Sequence, residues 1–249
     1  MIKILCLLII VIISIICIIT INEGYEDNNN SIPKVIYLTY KTKNIPDYVI
    51  PNWKKLNPDY DIKLHDDNDC IKFLKQEYGD LYVDIFNYIK DGPIKSDFWR
   101  CCILYKYGGV YGDIDMEPLL PISSLLENNI NFYTCKSGNT NPSIIISTKN
   151  NKIIKYCIDT YINKYINKEK YEYWPWSITN IMNKSLINYL QKNNIKGNNK
   201  YNDVKLFIEK GGTSKPGKNY DNYIEYKGKR IFNNRYRDYD SLNHTFNNL

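Results

Sequence analysis

Gly108-Gly109-Val110-Tyr111-Gly112-Asp113-Ile114-Asp115 decides how this 249-residue chain is read. A glycine pair closes a helical pattern, and a short apolar strand is expected over Val110–Ile114. In extended backbone, residues two apart project to one face. Asp113 and Asp115 therefore share a site while Ile114 packs behind them. Two hard oxygen ligands suit Mn²⁺ or Mg²⁺, with diphosphate oxygens and water completing the shell. A cation held there offsets the charge that builds on a departing nucleoside diphosphate. The neighbouring glycines are expected to leave room for a bulky donor. Asp-x-Asp alone is common in solvated loops; the apolar strand, the glycine pair and the preceding helix give this one its weight.

That helix is expected over Ile94–Tyr107 and supplies Asp97 and Arg100, three residues apart on one face. One reading gives Asp97 to sugar hydroxyls and Arg100 to carboxylates or phosphates; the other makes them a surface ion pair worth little. His244 has two readings as well, a third metal ligand closing over the donor or an inert tail residue. His65 is assigned no role. Trp174 and Trp176 either stack on sugar rings or belong to core and surface.

Working outward, strands are expected at Lys34–Tyr40, Tyr60–His65, Asn131–Cys135 and Ser143–Ser147. Helices are expected at Asp47–Leu56, Asn68–Tyr78 (capped by Asn68 or Asp69), Leu81–Lys90, Lys152–Tyr165 and Ser177–Lys192. Loops fall at Gly197–Lys200 and Gly211–Gly217. The alternation implies one α/β domain with a mostly parallel central sheet, with ligands gathered beyond the carboxyl ends of strands.

Ile4–Ile21 is almost wholly aliphatic and would span roughly 27 Å as a helix, close to the hydrocarbon thickness of a bilayer. It is read as a transmembrane signal anchor within residues 1–22. A polar stem follows over 23–31, and the folded domain occupies 32–249. Lys3 before the apolar run and Glu23, Glu26 and Asp27 after it place the domain on the luminal (Golgi- or ER-like) or extracytoplasmic side of the membrane.

The net charge of +6 is spread along the chain without a basic run or a recognised nucleic-acid module, so nucleic acid is not an expected partner. Of seven cysteines, Cys6 and Cys17 fall in the apolar leader. The other five show no Cys-x-x-Cys spacing, and with only two histidines a structural zinc site is not expected. They are read as buried thiols or, in an oxidising lumen, as including one disulfide.

The order of segments carries a resemblance. Ile32-Pro33-Lys34-Val35-Ile36, Trp53-Lys54, Asn57-Pro58-Asp59-Tyr60 and Asp66-Asp67 are followed by Ser96-Asp97-Phe98-Trp99-Arg100 and by Leu104 through Asp115. Over Ile32–Pro121 the chain resembles glycosyltransferase family 32, the DXD-containing sugar transferases that include Golgi α-mannosyltransferases and inositol-phosphoceramide mannosyltransferases. The resemblance implies a GT-A-like fold and a UDP- or GDP-sugar donor. It also implies Mn²⁺ dependence and transfer of a hexose, with retention, to a glycan or glycolipid acceptor. By it, Asp113 and Asp115 hold metal and diphosphate, and Asp97 and Arg100 belong to the donor site. His244 corresponds to a C-terminal histidine. Tyr37 stands where the family carries His and is assigned to donor contacts. The family's Thr-Gly-Pro-like element appears as Ser177-Ile178-Thr179-Asn180, and no catalytic base or nucleophile is named.

Two other classes compete. An Asp-x-Asp phosphotransferase would use the first Asp as nucleophile, but that motif ordinarily opens its fold and here lies mid-chain, continuing into Met116-Glu117. A catalytically inactive, membrane-anchored carbohydrate-binding protein on the same fold would keep the donor cleft without turnover.

Overall fold

Helix ends, strand parity and glycines place the Asp-x-Asp segment. A computed structural model describes residues 31–192, 203–211, 222–236, 238–240 and 243–246. The chain divides between Ser31 and Ile32, and the second unit, Ile32–Leu249, carries every described element. The anchor expected at 1–22, the stem up to residue 30, the Gly197–Lys200 loop and the 212–217 part of the second loop lie outside the described residues. Among the described residues no helix is long and apolar enough to cross a membrane.

Strands β1 (Val35–Thr39), β2 (Asp61–His65) and β3 (Gly109–Gly112) form a parallel trio in the order β2-β1-β3. β3 then pairs antiparallel with β6 (Asn139–Ser147), which forms a hairpin with β5 (Phe132–Ser137). β7 (Val204–Lys210) lies parallel to β5. β8 (Tyr223–Tyr226), β9 (Lys229–Asn233) and the short β4 (Glu117–Pro118) complete nine strands by antiparallel pairing. Among the described residues, parallel pairing, expected of most of the sheet, is thus confined to β2-β1-β3 and β5-β7. The tight connections β5–β6 and β8–β9 reverse the chain at once, and a hairpin can only pair antiparallel.

Helices α1 (Val49–Leu56), α2 (Asp67–Tyr78), α3 (Asp80–Tyr88), α4 (Gly92–Tyr107), α5 (Lys152–Ile166), α6 (Tyr173–Trp176) and α7 (Ile178–Lys192) follow the expected order, with the ends moved by a few residues. The cap of α2 is Asp66, two residues before Asn68 and three before Asp69, the expected caps. Its carboxylate accepts from the Asp69 N–H while Asp69 reaches back to the Asp66 N–H, a reciprocal capping box. Pro93 starts α4 without leaving a donor unsatisfied, and Gly108 ends it with its N–H on the Leu104 carbonyl.

Alternation in the central strands feeds two cores. Ile36, Leu38, Val110, Ile144 and Ile146 pack with Trp53, Phe207 and Phe232 on one side. Tyr37, Tyr111 and Ile145 pack with Phe98, Trp99, Trp176 and the helices on the other. Cys70, Cys101, Cys102, Cys135 and Cys157 are free and buried, as the thiol reading expected.

The glycines of the motif serve packing rather than donor access, against expectation. A Cβ on Gly112 would lie 3.0 Å from the Trp53 ring, in the core. Gly109 combines φ +105° with a Cβ position 2.9 Å from the Val35 carbonyl oxygen. Gly109→Ala therefore adds left-handed strain to a backbone clash, together costing about 1–3 kcal/mol. We expect a melting temperature roughly 3–10 °C lower by differential scanning fluorimetry; an unchanged melt would refute the close-approach role.

Candidate functional site

β3 ends at Gly112, one residue before the first carboxylate. The segment after it is a turn, closed by the Met116 N–H on the Asp113 carbonyl at 3.1 Å. The pairing of Asp113 with Asp115 thus comes from a turn beyond the strand tip rather than from extended alternation, because main-chain bonding to β6 ends with the Asp113 N–H on the Ser143 carbonyl at 2.8 Å. Both acids, with Asp97, Arg100 and His244, line one cleft of about 620 Å³. It opens where β1 runs out into Tyr40-Lys41 and β3 into the acidic turn, beyond the carboxyl ends of the parallel trio.

Arg100 is the hub of the site and is nearly inaccessible. One terminal nitrogen lies 2.9 Å from Asp97 Oδ1 and 2.9 Å from Asp113 Oδ1, while the other donates to the Pro142 carbonyl at 2.7 Å. Its guanidinium stacks 4.2 Å from the centre of the Tyr111 ring. The Tyr111 hydroxyl donates to Asp113 Oδ1 at 3.1 Å and pairs with Ser96 Oγ at 2.7 Å. The surface-pair reading of Asp97 and Arg100 is thereby corrected: both are buried and tied to the motif. Burial acts against the Arg100 charge, but Asp113, Tyr111 and Asp97 hold its pKa above the usual range.

Asp97 looks the other way as well. Its second oxygen accepts the Ile178 N–H at 2.9 Å, capping α7 from a different helix. Burial pushes the Asp97 carboxyl up to about 6, with Arg100 pulling it down. Asp115 is pushed up to about 7 by burial first and then by the neighbouring Asp113 charge, and among the described residues its ion-pair partner is Arg235 at 3.8 Å. The Asp113 carboxyl is likewise raised by burial, with Arg100 opposing. Two crowded, half-sealed carboxylates that resist ionising are a donor set that fits a hard divalent cation.

Among the described residues, no three His, Cys, Asp or Glu side chains form a metal-binding group. His244 lines the cleft, but the ligand set expected of Asp113, Asp115 and His244 is not assembled. His244 sits at φ +53° in the turn between β10 (Tyr239–Asp240) and β11 (Thr245–Phe246), where its carbonyl accepts from Tyr40 Oη at 3.4 Å. Tyr37 is not at the site either. It is 4% exposed in the helical-side core, edge-on to Trp99 and tilted against His65. Thr39, two residues on and on the same face of β1, lines the cleft, whereas Tyr37 lies back from its mouth with its ring in the core, which corrects the donor-contact assignment. Trp176 is core, whereas Trp174 is exposed at the rim.

Several lining residues escaped the sequence reading. Tyr111 carried a signal, standing two residues before Asp113 on the same strand face. Arg235 and Tyr239 carried none, since they arrive from a segment more than a hundred residues later.

With this geometry in place, comparison with known proteins is informative. Residues 46–134 match the family described as "Glycosyltransferase sugar-binding region containing DXD motif". A mannosyl phosphorylinositol ceramide synthase of Saccharomyces cerevisiae is 36% identical over 111 residues, covering 41% of this chain and 29% of that protein. An initiation-specific alpha-1,6-mannosyltransferase of Candida albicans is 30% identical over 112 residues, covering 41% of this chain and 29% of that protein. The chain thus spans less than a third of the length of these relatives. Among solved structures, PaToxG glycosyltransferase superposes with a TM-score of 0.54 at 20% identity, over 64% of this chain and 70% of that one, which shows a shared fold. The stretch that builds the acidic turn and its arginine hub is thus the part of the chain that matches the DXD-containing sugar-binding region of glycosyltransferases and is similar to these two fungal proteins.

Proposed function

We propose that this chain is a glycosyltransferase that moves a hexose from a UDP- or GDP-sugar to a glycan or glycolipid acceptor, with retention, using Mn²⁺ or Mg²⁺ at Asp113 and Asp115. The observation that carries the reading is the buried relay Asp97–Arg100–Asp113, which fixes one carboxylate of the turn at the mouth of a cleft of nucleotide-sugar size. A cation bound there would offset charge on the departing diphosphate. Arg100 and Tyr111 hold Asp113 Oδ1 in place, and an oxygen so engaged suits a ligand better than a nucleophile. Arg235 and Lys41, also lining the cleft, supply positive charge for a diphosphate. The hexose and acceptor classes follow the relatives named above. The anchoring of residues 1–22 in a membrane, with the domain in the lumen, belongs to the same proposal.

The test is nucleotide release from UDP- and GDP-hexoses by the full chain in detergent, with Mn²⁺, after chelation, and after Mn²⁺ is restored. We expect slow donor hydrolysis that falls to background on metal removal and returns with the metal. Hydrolysis indifferent to chelation would refute the metal role. Metal-dependent donor binding without any turnover would overturn the enzyme in favour of an inactive carbohydrate-binding protein.

A further inference from the structure

Trp174 stands apart from the other three tryptophans. Trp53, Trp99 and Trp176 are 0% exposed, and Trp174 is 69% exposed, more than any other large apolar side chain among the described residues. An indole left in water forgoes a large burial gain, so its position calls for a partner. Its backbone is nevertheless held firmly. The Trp174 carbonyl accepts from both the N–H and the hydroxyl of Ser177, at 3.2 and 3.0 Å. Two residues on, Trp176 is driven into the core, with Nε1 donating to the Lys170 carbonyl at 3.2 Å. Tyr173 packs edge-on against the indole at 5.3 Å. The result is a fixed base carrying an open aromatic face.

That face borders two spaces, the cleft already described and an adjoining hollow of about 380 Å³. Trp174, Ser177 and Thr179 line both, so the two spaces adjoin. The hollow is otherwise lined by Asn139 at the start of β6, Pro175, and Asn180 and Asn183 on α7. Among the described residues, no charged side chain lines it. The amide groups of Asn139, Asn180 and Asn183 have no hydrogen-bond partner among the described residues.

We infer that the hollow beside Trp174 is the subsite for a neutral hexopyranose ring of the acceptor glycan. A pyranose offers an apolar C–H face and a rim of hydroxyls that each donate and accept. A flat indole beside primary amides, which also donate and accept, matches both features. A phosphate-bearing headgroup would find no counter-charge in the hollow. A ring seated there lies next to the cleft in which the donor is proposed to react. The assignment to an acceptor rests on the transferase reading, but the binding it claims is measured without donor, metal or turnover.

Because the other three indoles are sealed, acrylamide quenching of tryptophan fluorescence in the full chain in detergent reports on Trp174. The probes are methyl α-mannopyranoside, α-mannobiose, methyl β-glucopyranoside, methyl β-galactopyranoside and myo-inositol 1-phosphate. We expect at least one neutral glycoside to shield Trp174 saturably. The Asn180→Ala/Asn183→Ala variant should raise the half-saturating concentration roughly tenfold, as expected for losing two hydrogen bonds. Trp174→Phe removes the quenchable emission and so verifies its source. Shielding by no neutral glycoside, shielding by inositol phosphate alone, or shielding unmoved by the double variant would each overturn the subsite. Donor hydrolysis measured in parallel separates the two readings: shielding without hydrolysis keeps the sugar site and removes the transferase, and hydrolysis without shielding does the reverse.

Discussion

Asp115→Asn should reduce metal-dependent donor hydrolysis and transfer by on the order of a thousandfold while melting no lower than the parent chain. The two halves of this expectation have different causes. Loss of one of two carboxylates takes away most of the hold on a divalent cation, whose charge offset is worth several kcal/mol at the departing diphosphate. About 4 kcal/mol corresponds to three powers of ten in rate. Stability should move the other way. Asp115 is half-buried beside Asp113, its carboxyl is pushed up to about 7, and among the described residues its nearest ion-pair partner, Arg235, is 3.8 Å away. The isosteric amide relieves that crowding without opening a cavity. Asp113→Asn should also abolish activity but will melt lower, because it breaks the 2.9 Å contact with Arg100. Hydrolysis rates and thermal melts on the same preparations check both halves. Parental activity in Asp115→Asn would sink the metal-site reading, and a large loss of melting temperature would sink the account of its burial.

The second expectation concerns Arg100. Arg100→Ala should destabilise the domain by about 3–5 kcal/mol, the usual result of removing one member of a buried charged cluster. The loss leaves the Asp97 carboxylate, 6% exposed, with only the Ile178 N–H for support, and frees the Pro142 carbonyl and the Tyr111 ring together. Arg100→Lys separates folding from function. An ammonium keeps the charge, but it cannot bridge two carboxylates and a carbonyl from one planar fork while lying flat on a phenol ring. We expect it to fold, with turnover down on the order of a hundredfold through misplacement of Asp113. Urea unfolding of the first variant and kcat of the second are the measurements. A lysine variant with parental kcat would show that charge alone, rather than geometry, is what the turn requires.

The legible parts of the site were those that are contiguous in sequence. The α4 helix, its glycine stop, β3 and the acidic pair lie within 24 residues, and local rules of capping and periodicity cover them. Even there, local reasoning placed Asp113 in a strand, because the end of a ladder depends on its partner β6 and not on the segment itself. Tyr37 shows the same limit in another form. Tyr37 and Thr39 share one face of β1 and only Thr39 lines the cleft, so position along the strand decides, and in a strand with four of five residues buried no local pattern marks where the cleft begins. Trp174 and Trp176 sit in one four-residue turn with the same side chain, and only the tertiary contacts of α6 distinguish platform from core. The contributions of Arg235 and Tyr239, and the pairing of β4 with β9, join residues more than a hundred positions apart, beyond the reach of pattern reading.

The sulfur chemistry of the fold has a practical corollary. Burial pushes the Cys70 and Cys135 thiols up to about 12, and those of Cys101 and Cys102 also lie far above their ordinary value. Thiols raised in this way stay protonated at neutral pH, and the ionised form is what reagents attack. Labelling of these positions therefore waits on the domain coming apart, so the pace of alkylation reads out how often it opens.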